Sequence, residues 1–283
     1  MKILEIESLC KQYPSFFLDH VSFCMDEGAI MGLIGRNGAG KSTTLKSMLR
    51  LVHPDSGTVR ICGLDMAGQE RQIKARLGFV SGSAAYYPRK RVQELCSVTR
   101  RFYPGWDEQR CRALMERFRL DGQKRVCELS EGMKVKLQLM LAMSHGAQLL
   151  ILDEPTSGLD PVSRDELLQL FRTLVSRDGV SILFSTHITS DLDACADAVT
   201  YLQSGHVFAS LPKKELTGRY RMLRGSEKEL GPELRAALIG LRVQGGEFEG
   251  LLAAEKLSLC GALQPQAADL EQIMVHLERE ALQ

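Results

Sequence analysis

Apolar positions along the 283 residues follow two rhythms. Short unbroken apolar runs of strand length occur at GAIMGLIG (28–35), LLIL (149–152) and VSILF (180–184), the pattern of strands covered on both faces. TVRIC (58–62) reads as a further strand. Helical spacing fills the intervals. Leu45, Met48, Leu49 and Val52 fall at i, i+3, i+4 and i+7, HPDSG (53–57) then stops that helix, and RDELLQLFRTLV (164–175) separates the last two apolar runs. Apolar strands alternating with amphipathic helices predict an α/β domain on a largely parallel sheet.

From about residue 85 to 148 the pattern turns helical and rich in arginine. Between Arg89 and Arg125 stand eleven Lys/Arg against five Asp/Glu. This stretch reads either as a solvated helical insertion or as a docking face for a partner beside a membrane. Residues 216–283 have the look of an appended module. RYRMLRG (219–225) predicts a strand, SEKELGPELRAALIG (226–240) a helix, and LRVQGGEFEGLLAA (241–254) a strand or hairpin. ADLEQIMVHLERE (268–280) places Leu270, Ile273, Met274 and Leu277 on one helical face, with Asp269 and Gln272 spaced for a capping box.

Composition narrows the function. With 44% hydrophobic and 25% charged residues and a net charge of +1, the chain is neither disordered nor a generally basic nucleic-acid binder. Its eight cysteines (10, 24, 62, 96, 111, 127, 195 and 260) include no C-x-x-C pair. That spacing reads as free thiols in a reducing cytosol rather than a disulfide framework or a zinc site. The N-terminus lacks the features of a signal peptide. The longest apolar stretch, LQLMLAMSHGAQLLIL (137–152), is cut by Ser144, His145, Gly146 and Gln148, short of the roughly 20 residues of a membrane helix. A soluble chain is expected.

Four motifs carry chemistry. GRNGAGKST (35–43) fits G-x-x-x-x-G-K-[ST], in which backbone N–H groups wrap phosphate oxygens. It nominates Gly35, Arg36, Asn37, Gly38, Ala39, Gly40, Lys41, Ser42 and Thr43 for a nucleoside triphosphate. LLILDEP (149–155) delivers Asp153 and Glu154 to the carboxyl end of a strand, where α/β sheets bind ligands. There Asp153 can hold Mg²⁺ and Glu154 can orient or deprotonate a water. LSEGM (129–133) offers Ser130 as N-cap and Gly132 as a bare backbone. It is either an ordinary capped helix or a second phosphate site at a helix N-terminus. TSGLD (156–160) and FSTHI (184–188) follow, with His187 just past a strand that points it toward the same sheet edge.

Taken in order, GRNGAGKST, LSEGM, LLILDEPTSGLD and STH resemble the ATP-binding subunit of an ABC transporter across residues 1–215. The resemblance implies a P-loop NTPase of ABC type: a RecA-like core, an antiparallel β subdomain and a helical subdomain over about 85–148. The remaining residues, 216–283, are expected to form a small α+β extension. It further implies ATP and Mg²⁺ as ligands, Lys41 on the β/γ-phosphates, Ser42 on Mg²⁺, Glu154 as base and His187 as γ-phosphate switch. Ser130, Gly132 and Asp160 would serve a second ATP-binding subunit, identical or not, that closes with this one around two ATP. KQYPSFFLDHVSF (11–23) resembles the family's opening and nominates Tyr13 either to stack on adenine or to pack in the core. Membrane-spanning permease subunits are the implied partners, with the chain cytoplasmic and peripheral on the inner face of the membrane.

RFYPGWDEQ (101–109), LSEGM and LEQIMVHLERE (270–280) resemble the stand-alone ATPases of bacterial multidrug, antibiotic and peptide exporters. Soluble ABC-type proteins acting on chromosomes or ribosomes, and nucleotide-gated regulators, are the alternatives. The about ninety residues between Lys41 and Ser130 leave no room for long coiled coils, and the chain carries one cassette.

Two departures stand out: Glu131 and Met133 in the signature, and Gly82 in LGFVSGSAAYYP (77–88), where most of the family carries glutamine. Losing one hydrogen bond to a charged site costs roughly 1–3 kcal/mol, or about 5- to 150-fold in rate. Slow basal hydrolysis is therefore expected, and Gly82→Gln should raise it. An unchanged or lower steady-state ATPase rate, with normal folding and ATP affinity, would show that the missing side chain is not limiting.

Overall fold

A computed structural model of the chain describes residues 1–81 and 87–281. The chain divides into two compact units, Met1–Ser210 and Leu211–Gln283.

The first unit opens with a hairpin of β1 (Lys2–Tyr13) and β2 (Phe16–Asp26). Alternation over Val21–Asp26 buries Val21, Phe23 and Met25 and leaves Ser22, Cys24 and Asp26 in water, as expected of a half-covered strand. The chain continues through β3 (Ile30–Ile34), α1 (Lys41–Met48), β4 (Ser56–Ile61), β5 (Leu64–Asp65), α2 (Met66–Lys74) and β6 (Leu77–Ser81). Helices α3 (Val92–Arg100), α4 (Glu108–Arg117) and α5 (Glu131–Ser144) follow, then β7 (Leu149–Asp153), α6 (Pro161–Asp178), β8 (Ser181–Thr186), α7 (Thr189–Cys195), β9 (Ala198–Gln203) and β10 (His206–Pro212).

Two sheets result. One is four-stranded, in the order β2-β1-β4-β5, with its neighbours antiparallel. The other is six-stranded, β10-β9-β3-β8-β7-β6, and parallel from β9 to β6. Strands β3 and β8 are buried at every position, which is why their sequences run apolar instead of alternating. Such a sheet presents the carboxyl ends of β3, β7 and β8 along one edge, where the motifs lie. The architecture is the P-loop ABC-type ATPase fold that the motifs implied.

Helix α1 is shorter than its apolar spacing predicts, ending at Met48 instead of reaching Val52. Arg50 takes a left-handed φ of 53°, Leu51 N–H donates to the Lys46 carbonyl at 2.9 Å, and Arg50 N–H to Ser47 at 3.0 Å. This reversal closes the helix although the apolar residues continue. In the helical region, Asp107 caps α4 by accepting from Arg110 N–H at 2.9 Å, while its own N–H donates to the Ser144 carbonyl at 2.7 Å.

The second unit holds α8 (Lys213–Gly218), β11 (Tyr220–Ser226), α9 (Pro232–Ala237), β12 (Ile239–Gln244), β13 (Glu247–Ala253), β14 (Gln266–Ala267) and α10 (Leu270–Ala281). Its strands form an antiparallel sheet in the order β12-β13-β11-β14. The single helix expected over 226–240 is broken. Gly231 and Pro232 restart it as the short α9, and Ile239 already belongs to a strand. Gly245 and Gly246, at φ of 64° and 81°, make the β12–β13 turn. The capping box of α10 is present: Gln272 N–H donates to the Asp269 carboxylate at 2.7 Å, and Asp269 N–H to the Gln272 side chain at 3.1 Å. Met274 is only half-buried, and His276 is buried instead.

His276 Nδ1 lies 2.8 Å from the Gly240 carbonyl. Burial pushes its imidazole below the ordinary value, against the opposing effect of that hydrogen bond. Burial acts the same way on His145 in the first unit. Both rings are thus neutral in the fold, whereas the unfolded chain takes up protons near pH 6.5. Their stabilisation is complete above that value and is lost as pH falls toward the depressed folded values. The melting temperature of the full chain should drop between about pH 7 and pH 5.5. His276→Asn, which keeps a donor for Gly240, should flatten that slope; an unaltered slope would remove His276 as a contributor.

Candidate functional site

Strand β3 ends at Ile34 and the chain turns at once into the glycine loop before α1. The loop needs its glycines. A Cβ on Gly35 would stand 2.3 Å from the Leu202 carbonyl oxygen, and one on Gly40, at φ 108°, 2.8 Å from the Phe16 ring. The turn aims the N-terminus of α1 outward, a favourable place for an anion. Lys41 sits on its first turn with only 6% of its surface exposed. Its Nζ donates to the Gly35 carbonyl at 2.9 Å and to Arg36 at 3.4 Å, and forms an ion pair with Glu154 Oε1 at 3.4 Å.

The carboxyl end of β7 supplies both acids. Asp153 Oδ1 accepts from the Ser42 hydroxyl at 3.0 Å and from the Ser185 hydroxyl at 2.7 Å. Ser185 in turn accepts from Glu154 N–H at 2.9 Å. Glu154 adopts φ 49°, a conformation uncommon outside glycine. One of its carboxylate oxygens faces Lys41, and the other lies 2.9 Å from His187 Nδ1. Three segments far apart in sequence thus bring Lys41, Ser42, Asp153, Glu154 and His187 together.

A buried polar knot lies behind them. Asp191 is wholly buried and accepts from Thr156 at 2.7 Å, from Thr186 at 3.1 Å and from the Arg164 guanidinium. Arg164 also donates to Ser190 at 2.8 Å. The knot fastens α6 and α7 to the segments carrying Glu154 and His187. Ser185 and Asp191 went unrecognised in the sequence. Ser185 is the first residue of the STH motif, and that position was the one signal that could have singled it out.

Tyr13 is 38% exposed, with Lys11 Nζ 5.7 Å from its ring centroid, so it does not pack in the core. It lines a cleft of about 830 Å³ together with Phe16, Lys41, Ser42, Glu154 and His187. Ser130 caps α5 by accepting from Met133 N–H at 3.3 Å, and the Glu131 carboxylate turns to Lys134 at 2.6 Å. Gly132 is buried, and a Cβ there would stand 3.7 Å from that of Ser163. Ser163 donates its hydroxyl to Asp160 at 2.6 Å, and this bond holds the Asp160 carboxyl below its usual range. The signature turn and the Asp160 turn therefore adjoin, and Ser130, Gly132 and Asp160 are not among the residues lining the cleft. The side chain of Gln138 in α5 accepts from Ser81 N–H at 3.2 Å, fixing the end of β6. Gly82, the next residue, lies outside the described residues.

The donor set fits a nucleoside triphosphate with Mg²⁺. A glycine cradle with no room for a Cβ at Gly35 or Gly40, a cation at a helix N-terminus, and the hydroxyl of Ser42 beside the carboxylate of Asp153 supply an anion site and hard oxygen ligands.

Comparison with known proteins agrees. The family model described as ABC transporter matches residues 18–157. The ABC transporter ATP-binding protein YtrB of Bacillus subtilis is 28% identical over 96% of this chain and 97% of its own. A Nod factor export ATP-binding protein I from Paraburkholderia xenovorans is 36% identical over 73% of this chain and 69% of its own. A solved structure of an ATP-binding subunit of an ABC transporter superposes with a TM-score of 0.68 at 29% identity, covering 76% of this chain and 92% of that one. The chain belongs to the ABC transporter family, as an ATP-binding, ATP-hydrolysing subunit.

Proposed function

We propose that this chain pairs with a second ATP-binding subunit around two molecules of ATP and drives export through separate membrane-spanning subunits. The observation that carries this reading is the Lys41–Glu154–His187 cluster at the floor of the cleft. Lys41 holds the β/γ-phosphates, and leaving its 3.4 Å contact with Glu154 to do so frees that carboxylate for a water. His187, 2.9 Å from Glu154, senses the γ-phosphate and keeps the base oriented. Ser42 and Asp153 hold Mg²⁺, which when bound offsets charge on the transferred phosphoryl group. The exposed Tyr13 stacks on adenine.

The adjoining turns of Ser130, Gly132 and Asp160 face the partner subunit's nucleotide. Pairing Glu131 with Lys134 supports this, because the first turn of α5 then carries no uncompensated negative charge toward phosphate. Among the described residues no helix is long and apolar enough to cross a membrane, so the membrane path belongs to partner subunits and the chain acts from the cytoplasmic face. Export is favoured by the Nod factor relative and by the exporter-like motifs.

Glu154→Gln removes the base while preserving shape. ATP should still bind, turnover should fall at least about 100-fold, and a dimer should accumulate with Mg-ATP on size-exclusion chromatography. A variant hydrolysing near the wild-type rate would strip Glu154 of this role.

The docking face is placed at the start of the helical region. Arg89, Lys90 and Arg91 lie near Val92–Arg100 in sequence, and Tyr87, Val98 and Phe102 are 68%, 43% and 75% exposed. Charge reversal at Arg89, Lys90 and Arg91 should abolish cargo export in cells while sparing ATPase activity of the isolated subunit. Loss of both together would point to misfolding and count against the assignment.

A further inference from the structure

We propose that Cys10, Asp19 and His20 form a Zn²⁺ site on the antiparallel hairpin, separate from the nucleotide cleft. Spacing along the chain argued against zinc because no cysteines are paired, but the fold assembles the ligands from two strands. Pairing of β1 with β2 runs Leu9↔Val21 and then Lys11↔Leu18, so Cys10 alone opposes Asp19 and His20 in a bulge. The thiol, a carboxylate oxygen and an imidazole nitrogen come to lie within 4.8 Å of one another. Ligand atoms on a tetrahedral Zn²⁺ stand about 3.5 Å apart, given bonds of about 2.0–2.3 Å. Rotation of the exposed His20 ring closes that difference.

The chemistry of the three groups suits this ion: one thiolate, one imidazole and one carboxylate, with water in the fourth position. Cys10 is buried, and its sulfur accepts the His20 backbone N–H at 3.3 Å while its thiol donates to the Ser8 carbonyl at 3.5 Å, contacts that hold the sulfur beside the His20 segment. The Asp19 carboxylate bonds to the His20 ring through one oxygen, while its other oxygen lies 3.5 Å from His206 Nδ1. His206 thereby orients the carboxylate from β10, at the edge of the other sheet. Asp19 N–H donates to the Gly205 carbonyl at 2.9 Å, which fixes the backbone before any metal arrives. On binding, Cys10 gives up its thiol proton to solvent, and His20 ligates through Nδ1 with its proton on Nε2.

The test uses the full chain, free of nucleotide, carrying Cys24→Ser and Cys127→Ser to remove exposed thiols. Zn²⁺ affinity is read by competition with a chromophoric chelator, and Co²⁺ serves as a spectroscopic probe. The expected result is one Zn²⁺ per chain, with a thiolate-to-cobalt charge-transfer band and tetrahedral d–d bands. Cys10→Ser should abolish the charge-transfer band and weaken Zn²⁺ by at least about tenfold. His20→Gly should weaken it similarly without lowering the metal-free melting temperature, because glycine accepts the φ of 46° that His20 holds under strain. If Cys10→Ser fails to fold, His20→Gly decides. A charge-transfer band that survives Cys10→Ser, or Zn²⁺ affinity within about twofold of the parent in His20→Gly, would overturn the proposal.

Discussion

An ammonium group buried in the first turn of a helix needs counter-charge, and Lys41 obtains it from Glu154 across 3.4 Å. That single requirement ties the two halves of the site together. The glycine loop sets where Lys41 can stand, and Lys41 in turn constrains the end of β7, where Glu154 takes a left-handed backbone and shares its second oxygen with His187. Without an anion the cluster is internally neutralised. In the proposed mechanism a triphosphate gives the cation a stronger partner and releases the carboxylate. Charge balance would then make readiness for hydrolysis conditional on nucleotide.

The cluster holds its shape because Asp191 stands behind it. A wholly buried carboxylate is costly unless it is hydrogen-bonded, and here Thr156, Thr186 and Arg164 donate three bonds across its two oxygens. Removing one partner of such a buried pair costs about 3–5 kcal/mol. The segment after Glu154 and the end of β8, next to the proposed base and switch, are therefore fixed relative to one another. On the opposite side, the Gln138 amide clips the end of β6 to α5, so the signature helix and the β-sheet edge are mechanically joined.

Much of this was legible in the sequence because local pattern and chemistry coincide there. Unbroken apolar runs mark strands covered on both faces, and Gly35 and Gly40 mark a backbone that leaves no space for a Cβ. Legibility ended where tertiary geometry took over. The spacing of Leu45, Met48, Leu49 and Val52 continues a helix that Arg50 terminates by a left-handed turn. The periodicity over 226–240 ignores the break at Gly231 and Pro232. Ser185, Asp191 and Gln138 each act through partners tens of residues away, contacts that local pattern does not reveal. Cysteine spacing likewise could not show that a bulge would set Cys10 beside Asp19 and His20.

The hairpin and the phosphate loop are joined through one glycine. Tyr13 ends β1 at the exposed tip of a long hairpin, where the Asp55 carboxylate accepts from Gln12 N–H at 2.6 Å and from Lys11 Nζ at 2.8 Å, bonds that leave the distance from tip to phosphate loop unset. Gly205, in the turn between β9 and β10, corrects this. Its N–H donates to the Ala39 carbonyl of the phosphate loop at 3.1 Å, and its carbonyl accepts Asp19 N–H of the hairpin at 2.9 Å. A Cβ there would meet the Phe17 carbonyl oxygen at 2.0 Å, and φ is 86°, so any other residue would push hairpin and loop apart. The hairpin that carries Tyr13 and the phosphate loop are therefore held in register by a residue bonded to both.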